Sequence, residues 1–345
     1  MKAMVLCAGL GTRLAPLSAL WPKPALPLLG APLFRYALAT LRRAGITSVG
    51  INTHHLPERM LATAAAECAR VALPLEVAHE AQALQGTGGG IRGLRRFLQG
   101  GDFVVLNGDI LFGVDLAPVL EAHRQSGAAA TMVLLPMPEG ERYNAVEVDE
   151  AGRVRRIAGL GPGGRALAPW HFSGVHVMSP AVFDFMISEG PEDINKDVYP
   201  RLLAQGLIIR GHRLEAKDAF WSDLGTPRRY AATHQALLFG QVPTERFGAA
   251  DPFLDVERRG PHLWAHPSAQ LEKEVQISGP AWLGAACHVG PGVHLGAAVS
   301  VGPSARIGAH ARLNRVAVLG GAEVPVGQRL EDAIVAPGGI IVGTG

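Results

Sequence analysis

Three charged side chains stand where phosphate chemistry would use them: Arg13, Lys23 and Asp109. Arg13 and Lys23 follow the stretch Cys7-Ala8-Gly9-Leu10-Gly11-Thr12, which itself follows the apolar run Ala3-Met4-Val5-Leu6. That run has the length and character of a strand buried on both faces, as in a parallel sheet. Glycines directly after it permit a tight turn and close backbone approach to a ligand. Exposed N–H groups in such a loop cradle phosphate, and two nearby cations suit a triphosphate held at the carboxyl end of the strand. Asp109 ends a second buried run, Phe103 to Leu106, through Asn107-Gly108-Asp109. By itself an Asn-Gly-Asp sequence is more often just a turn; alternatively a carboxylate at a strand end can face the same crevice, and magnesium is usually held by one or two carboxylates with phosphate oxygens and water completing its shell.

Two common glycine motifs do not fit this opening. A dinucleotide fingerprint needs a third glycine where the chain has Leu14, and a P-loop needs Gly-Lys-Ser/Thr after four spacers. The whole stretch Gly9-Leu-Gly11-Thr-Arg13-Leu-x-Pro16-Leu, followed by Pro22-Lys23-Pro24-x-x-Pro27, resembles the signature of the sugar-1-phosphate nucleotidyltransferases. Glu80, Leu84, Gly86, Thr87 and Gly88 match that family's base-contacting run. On residue types alone, those glycines suit either a flat base lying against backbone or the lead-in to a helix. Trp221-Ser222-Asp223-Leu224-Gly225-Thr226 resembles the family motif that supplies a second magnesium ligand; alternatively Asp223 caps the helix starting near Pro227.

The resemblance implies a division of labour. Leu6, Ala8, Gly9, Gly11 and Thr12, with the Glu80–Gly88 run, bind the nucleotide; Asn107, Gly108, Asn144, Ser173, Gly174 and Lys196 hold the sugar phosphate. Arg13 and Lys23 are catalytic, and Asp109 and Asp223 carry Mg2+. Two departures bear on the sugar pocket. The Glu-Lys pair found in many members is absent from the glycine-rich stretch Gly159 to Gly164, and Asn144 stands where the family tends to have glycine. Lys196 either replaces the missing lysine or is a solvated helix-leading residue.

Positioning these residues requires alternating strands and helices. Helical spacing runs from Leu33 to Leu41, with Gly45 as the stop, and a second helix opens at Pro57. Strands are expected at Ile46–Asn52, Leu75–His79, Ala129–Leu135 and His171–Val177, with a hairpin around Asp149-Glu150-Ala151-Gly152. This is an α/β, doubly wound, Rossmann-like mixed sheet, and such sheets bind ligands beyond the carboxyl ends of their strands. The expected domains are 1–240 for nucleotidyl transfer, a linker over 241–262, and 263–345.

The last segment is a hexapeptide repeat. Leu271, Ile277, Leu283, Val289, Leu295, Val301, Ile307, Leu313 and Leu319 fall every sixth residue, with small or apolar residues two before each. That period marks a parallel β-helix, and it resembles the left-handed β-helix attached to many nucleotidyltransferases. The register should hold to Pro325. Within that family, Ile51-Asn52 with His54, Thr87-Gly88-Gly89-Gly90-Ile91, Phe172-Ser173-Gly174 and the absent Glu-Lys pair most resemble N-acetylmuramate-1-phosphate uridylyltransferases, whereas the C-terminal repeats and Asp197-Val198-Tyr199-Pro200 resemble mannose-1-phosphate guanylyltransferases.

Composition sets the remaining bounds. At 345 residues and net charge +2, the chain has ample core and no global field for nucleic acid or anionic membrane. Cys7, Cys68 and Cys287 lack disulfide or metal spacing, and no apolar run is long enough to span a bilayer. A cytoplasmic homo-oligomer acting on a nucleoside triphosphate and a sugar 1-phosphate is expected. The rival readings are a non-catalytic nucleotide-sugar sensor and an added acyltransfer site using His266, His288, His294 or His310.

Overall fold

The computed structural model describes residues 1–140, 143–165 and 167–344. By compactness the chain falls into two units, neither continuous in sequence: Met1–Leu10 with Ala37–Trp221, and Gly11–Tyr36 with Ser222–Gly345.

The first unit is mixed α/β. Its main sheet contains β1 (Lys2–Leu6), β2 (Ser48–Thr53), β3 (Leu75–His79), β4 (Phe103–Asn107), β5 (Ala130–Leu135), β6 (Ala145–Val148), β7 (Val154–Ile157), β8 (Ala168–Met178) and β9 (Ile209–Arg213). β1 lies between β2 and β4, parallel to both, and β3 extends the parallel run. Ala3, Met4 and Val5 have no exposure, as a strand covered on both faces requires. Beyond β4 the sheet changes sense. β8 pairs antiparallel with β4, β5 and β6, β6 pairs antiparallel with β7, and β9 lies parallel to β5. The parallel half is therefore doubly-wound in character, and the antiparallel half adds the long strand β8.

The expected elements are largely in place. Helix α1 (Leu33–Arg43) ends before Gly45, whose φ of 75° only glycine adopts without strain. Helix α2 runs Pro57–Arg70. The β2 strand begins at Ser48 rather than Ile46, although Ile46 is buried. One element differs in kind: Gly86–Gly93, expected as glycine loop or lead-in, is helix α3.

The second unit gathers the turns after Gly11, helix α4 (Pro227–Leu238) and the C-terminal strands. The Pro27–Leu28 and Ala31–Pro32 strands form a small antiparallel pair, whose carbonyls accept from Tyr36 (at Leu28 O, 2.8 Å) and Tyr230 (at Pro27 O). The stretch from Gln241 to His262 is not bare chain: Phe247 is fully buried edge-on to Tyr36, centroids 5.2 Å apart.

The C-terminal strands lie in parallel sheets and stack in an 18-residue register: Leu263 on Ala281 on Val299, Gln270 on His288 on Arg306, Gln276 on His294 on Arg312. Both apolar positions of each hexad, such as Val293 and Leu295, enter one buried cluster. The hexad spacing shortens at two places, the first earlier than Pro325 and the second between Gly327 and Asp332. Left-handed corners recur every sixth residue at Ala286, Gly292, Ala298, Ser304 and His310, but the next is Arg315, after five. The shorter corner slips the register to 17, so Val301 stacks on Val318 and Arg312 on Arg329. Val316 and Val318 therefore point inward, where the periodicity had placed Ala317 and Leu319.

Candidate active site

In the second unit, glycine at position 11 is dictated by backbone shape: φ is 62°, and the Cβ of any other residue would lie 3.3 Å from the Ser18 Cβ. The turn it makes leads into the 3₁₀ turn Thr12–Leu14, which leaves Arg13 exposed and Leu14 buried. Lys23 opens a second 3₁₀ turn between prolines, and despite its charge it is only 8% exposed. A buried ammonium needs a counter-charge, and Lys23 Nζ lies 3.5 Å from Asp223 Oδ1. The other oxygen, Oδ2, accepts from Arg229 at 2.7 Å. A side chain at Gly225 would strike Asp223 Oδ1 at 2.6 Å and an Arg13 guanidinium nitrogen at 3.0 Å. Arg13, Lys23, Asp223 and Arg229 thus form one half-buried constellation of three cations around a carboxylate. Asp223 does not cap α4. Thr226 does, its Oγ1 accepting from Arg229 N at 3.3 Å.

In the first unit, Gly9 has no protein atom near its would-be Cβ, and Leu10 is 44% exposed. The loop after β1 leaves its surface open. Behind it runs a buried polar chain. Asn52 Oδ1 accepts from Cys7 N at 2.8 Å, Asn52 Nδ2 donates to Glu80 Oε1 at 2.7 Å, and Glu80 Oε2 accepts from Gln85 N at 2.8 Å. Glu80 is therefore a structural tie as well as a candidate base acceptor. Burial, then the Asp109 carboxylate, push the Cys7 thiol well above its ordinary range, so Cys7 is no nucleophile.

The second glycine stretch packs against protein on one side, and Gly89 and Gly90 line a cavity of 640 Å³ with Glu80 and Gln85. The N–H groups of Gly88 and Gly89 donate to Glu192 O at 2.8 and 3.2 Å, and Thr87 Oγ1 accepts from Ile194 N at 2.9 Å. The glycine positions match these contacts: a Cβ at Gly86 would meet Glu192 O at 2.5 Å, and one at Gly90 would meet Asn52 Nδ2 at 2.6 Å. The amide of Gly88 and the hydroxyl of Thr87 are thus engaged within the protein.

The sugar-phosphate residues divide. Asn144 and Lys196 line a cavity of 260 Å³, with Tyr143, His171, Phe172 and Asn195. Tyr143, His171 and Trp221 form an aromatic cluster, the His171 ring 4.2 and 4.4 Å from the other two. Ile157 and Ala158 close the side of the cavity leading into Gly159–Gly164, with no long side chain there. Ser173 and Gly174 are set back from it. The Ser173 hydroxyl donates to Val133 O at 2.8 Å in a site 1% exposed, its carbonyl accepts from Trp221 Nε1 at 2.8 Å, and Gly174, at φ 89°, makes room for the Asn107 side chain. Gly108 N–H donates to Leu6 O at 2.9 Å and so ties β4 to β1, with half-buried Asp109 following directly.

Motifs in the sequence do not mark Glu192, Arg201 or Arg229, and they mark Asn52 only as part of the Ile51-Asn52 feature, with no site role. Asn52 signals itself as an amide ending a buried strand. Glu192 is 3% exposed and bonded to Arg201 and Ile187 N, with Arg92, a hundred residues away in sequence, at 3.5 Å.

Among the described residues, no group of three or more His, Cys, Asp or Glu could enclose a metal. A metal at Asp109 or Asp223 would take most of its shell from phosphate oxygens and water, which is how magnesium binds at nucleotide sites. The hard carboxylate donors fit that ion.

The nucleotidyl transferase family model matches residues 2–239. UTP–glucose-1-phosphate uridylyltransferase of Synechocystis sp. is 26% identical over 312 residues, covering 83% of this chain and 79% of that protein. Mannose-1-phosphate guanylyltransferase of Mycobacterium tuberculosis is 31% identical over 292 residues, covering 84% and 77%. Mannose-1-phosphate guanylyltransferase 1 of Arabidopsis thaliana is 30% identical over 238 residues, covering 67% and 63%. On the family match over residues 2–239 and the 31% identity to the guanylyltransferase, the chain belongs to the nucleotidyl transferase family, among sugar-1-phosphate nucleotidyltransferases.

Proposed function

We propose that the chain joins UTP or GTP to a sugar 1-phosphate, giving an NDP-sugar and pyrophosphate. The observation that carries this is Lys23, buried between prolines and held against Asp223 with Arg13 and Arg229 beside it. A phosphate oxygen of the sugar 1-phosphate attacks the α-phosphorus in line. The bond from that phosphorus to the β-phosphate bridging oxygen breaks, and pyrophosphate leaves with the electron pair. This chemistry rests on positioning and charge neutralisation. Lys23 holds the attacking phosphate and the α-phosphate, offsetting their repulsion, and Arg13 neutralises the departing pyrophosphate. The attacking oxygen is already ionised at neutral pH, so no side chain serves as general base. Asp109 and Asp223 would hold magnesium, which when bound neutralises triphosphate charge. A non-catalytic sensor would have no need of Lys23, Arg13 and Asp109 together.

The 260 Å³ cavity, with no clamp from Gly159–Gly164, supports a sugar bearing a bulky substituent such as N-acetyl or lactyl. We also take the C-terminal repeats to wind as a left-handed parallel β-helix serving assembly of a homo-oligomer, and the enzyme to be cytoplasmic. The 18-residue register and the three unpaired cysteines support this. Reaction of the full chain with UTP or GTP and a sugar 1-phosphate should release pyrophosphate only with magnesium, and EDTA should abolish it. Release that is equally fast in EDTA would refute the assignment of Asp109 and Asp223.

A further inference from the structure

The second glycine stretch is spliced to residues 192–194. Glu192 N donates to Gln85 O at 2.8 Å, Gly88 and Gly89 donate back to Glu192 O, and Thr87 Oγ1 accepts from Ile194 N at 2.9 Å. Ile194 is 1% exposed and begins a π-helical turn, Ile194–Val198, so its N–H has no partner within the turn and depends on Thr87. Asp193 builds the same turn from its own side: its carboxylate accepts from Asn195 N at 2.8 Å and Lys196 N at 2.9 Å, and its N–H donates to Asp197 Oδ2 at 2.7 Å. At the far end Tyr199 OH meets His176 Nδ1 at 2.6 Å, both residues fully buried. A π-turn is a rare geometry concentrated at functional sites. This one is pinned at both ends, and between the pins Asn195 and Lys196 line the cavity.

We propose that Thr87 is a positioning residue for the sugar phosphate. Through Ile194 it sets the turn that carries Lys196, and its hydroxyl does not read the base. The inference rests on the reading that the Asn144–Lys196 cavity receives the sugar 1-phosphate. It makes a prediction opposite to that of a base-contacting threonine. With the fastest pair drawn from UTP or GTP and a panel of sugar 1-phosphates, Thr87→Val should raise the KM for the sugar 1-phosphate about tenfold, a loss of about 1.4 kcal/mol, and leave the KM for the nucleotide within about twofold. Thr87→Ser, which keeps the acceptor oxygen, should restore the wild-type value. Tyr199→Phe, acting at the other pin, should move the same constant in the same direction, and it decides the matter if Thr87→Val fails to fold. A rise in nucleotide KM alone, equal rises in both, or no change in either would overturn the proposal. Hydrogen–deuterium exchange of the segment 190–198 supplies a readout independent of turnover. Exchange should quicken in Thr87→Val and not in Thr87→Ser; unchanged protection would overturn the inference even where the wild-type chain turned over nothing, an outcome that would separately refute the functional reading.

Discussion

The two glycine-rich stretches of this chain use the same residue for opposite ends. After β1, Gly9 has no protein atom within 4 Å of where a side chain would begin, and its neighbour Leu10 is exposed. In the second stretch every glycine from Gly86 to Gly90 is pressed against protein: Glu192, Gln85 or Asn52. In the first loop only Gly9 is open where a side chain would begin, Gly11 being fixed by its φ and by Ser18, whereas the second stretch has a remote segment and a buried amide against it. Glycine content alone does not separate a binding loop from a packed one. What separates them is whether the fold already explains the missing side chain.

If the contrast is right, changes around the first loop act on rate and changes in the second act first on the fold. The largest effect is expected at Lys23: Lys23→Ala should cut turnover by about 10²–10³, the scale of removing one charge-stabilising group, and Asp109→Asn should do the same with little change in Tm. Asp223→Asn should lose both turnover and stability, since Lys23 and Arg229 would face each other without their shared carboxylate. Thermal melts beside pyrophosphate assays check all three; a melting point for Asp223→Asn equal to that of wild type would weaken the pairing argument.

Next in size is Gly90→Ala. Its methyl would sit 2.6 Å from Asn52 Nδ2 and 3.2 Å from Glu80 Oε1, an overpacking worth about 1–3 kcal/mol, or roughly 2–4 °C of Tm per kcal/mol at this size. Gly9→Ala is the matched control. It should leave Tm within the roughly ±0.5 kcal/mol of an ordinary surface change while weakening nucleotide binding. If Gly9→Ala melts early and Gly90→Ala does not, the contrast is inverted.

The smallest effect is on pH. Burial holds His176, which bonds the pinned turn, at a pKa of about 3, and likewise His234 in the second unit, against an ordinary 6.5. The unfolded chain therefore takes up these protons near 6.5 and the folded chain only near 3. This contribution to stability is whole above about pH 6.5 and is lost progressively as pH falls toward 3. Tm should be lower at pH 5 than at pH 7.5, and the slope should flatten in His234→Gln.

Much of the frame was legible because it follows local rules. The buried run Ala3–Leu6, the stop at Gly45 and the hexads to Leu313 each follow from a short-range pattern. The exceptions have two causes: partners distant in sequence and, in the repeats, a shortened corner. α3 is helical although it begins Gly86-Thr87-Gly88-Gly89-Gly90, because Glu192 caps its amides and occupies the space side chains would take. The hexad phase is first lost at the five-residue step from His310 to Arg315, and Val316 and Val318 then carry the inward pattern that spacing assigned to Ala317 and Leu319. At the site, Gly9, Arg13, Lys23, Asp109 and Asp223 could be picked out by motif. Ser173 and Thr87 match the motifs equally well, and the fold engages their hydroxyls with Val133 O and Ile194 N.

The central claim, that this chain makes an NDP-sugar, is tested most directly by a product assay on the full chain. UTP, GTP, ATP and dTTP are each combined with mannose-, glucose-, N-acetylglucosamine- and N-acetylmuramate-1-phosphate in magnesium, and pyrophosphate and NDP-sugar are both quantified. Equimolar pyrophosphate and NDP-sugar are expected, fastest with a UTP or GTP pair. Binding of nucleotide with no NDP-sugar from any pair would contradict the claim and leave a nucleotide-sugar sensor in its place.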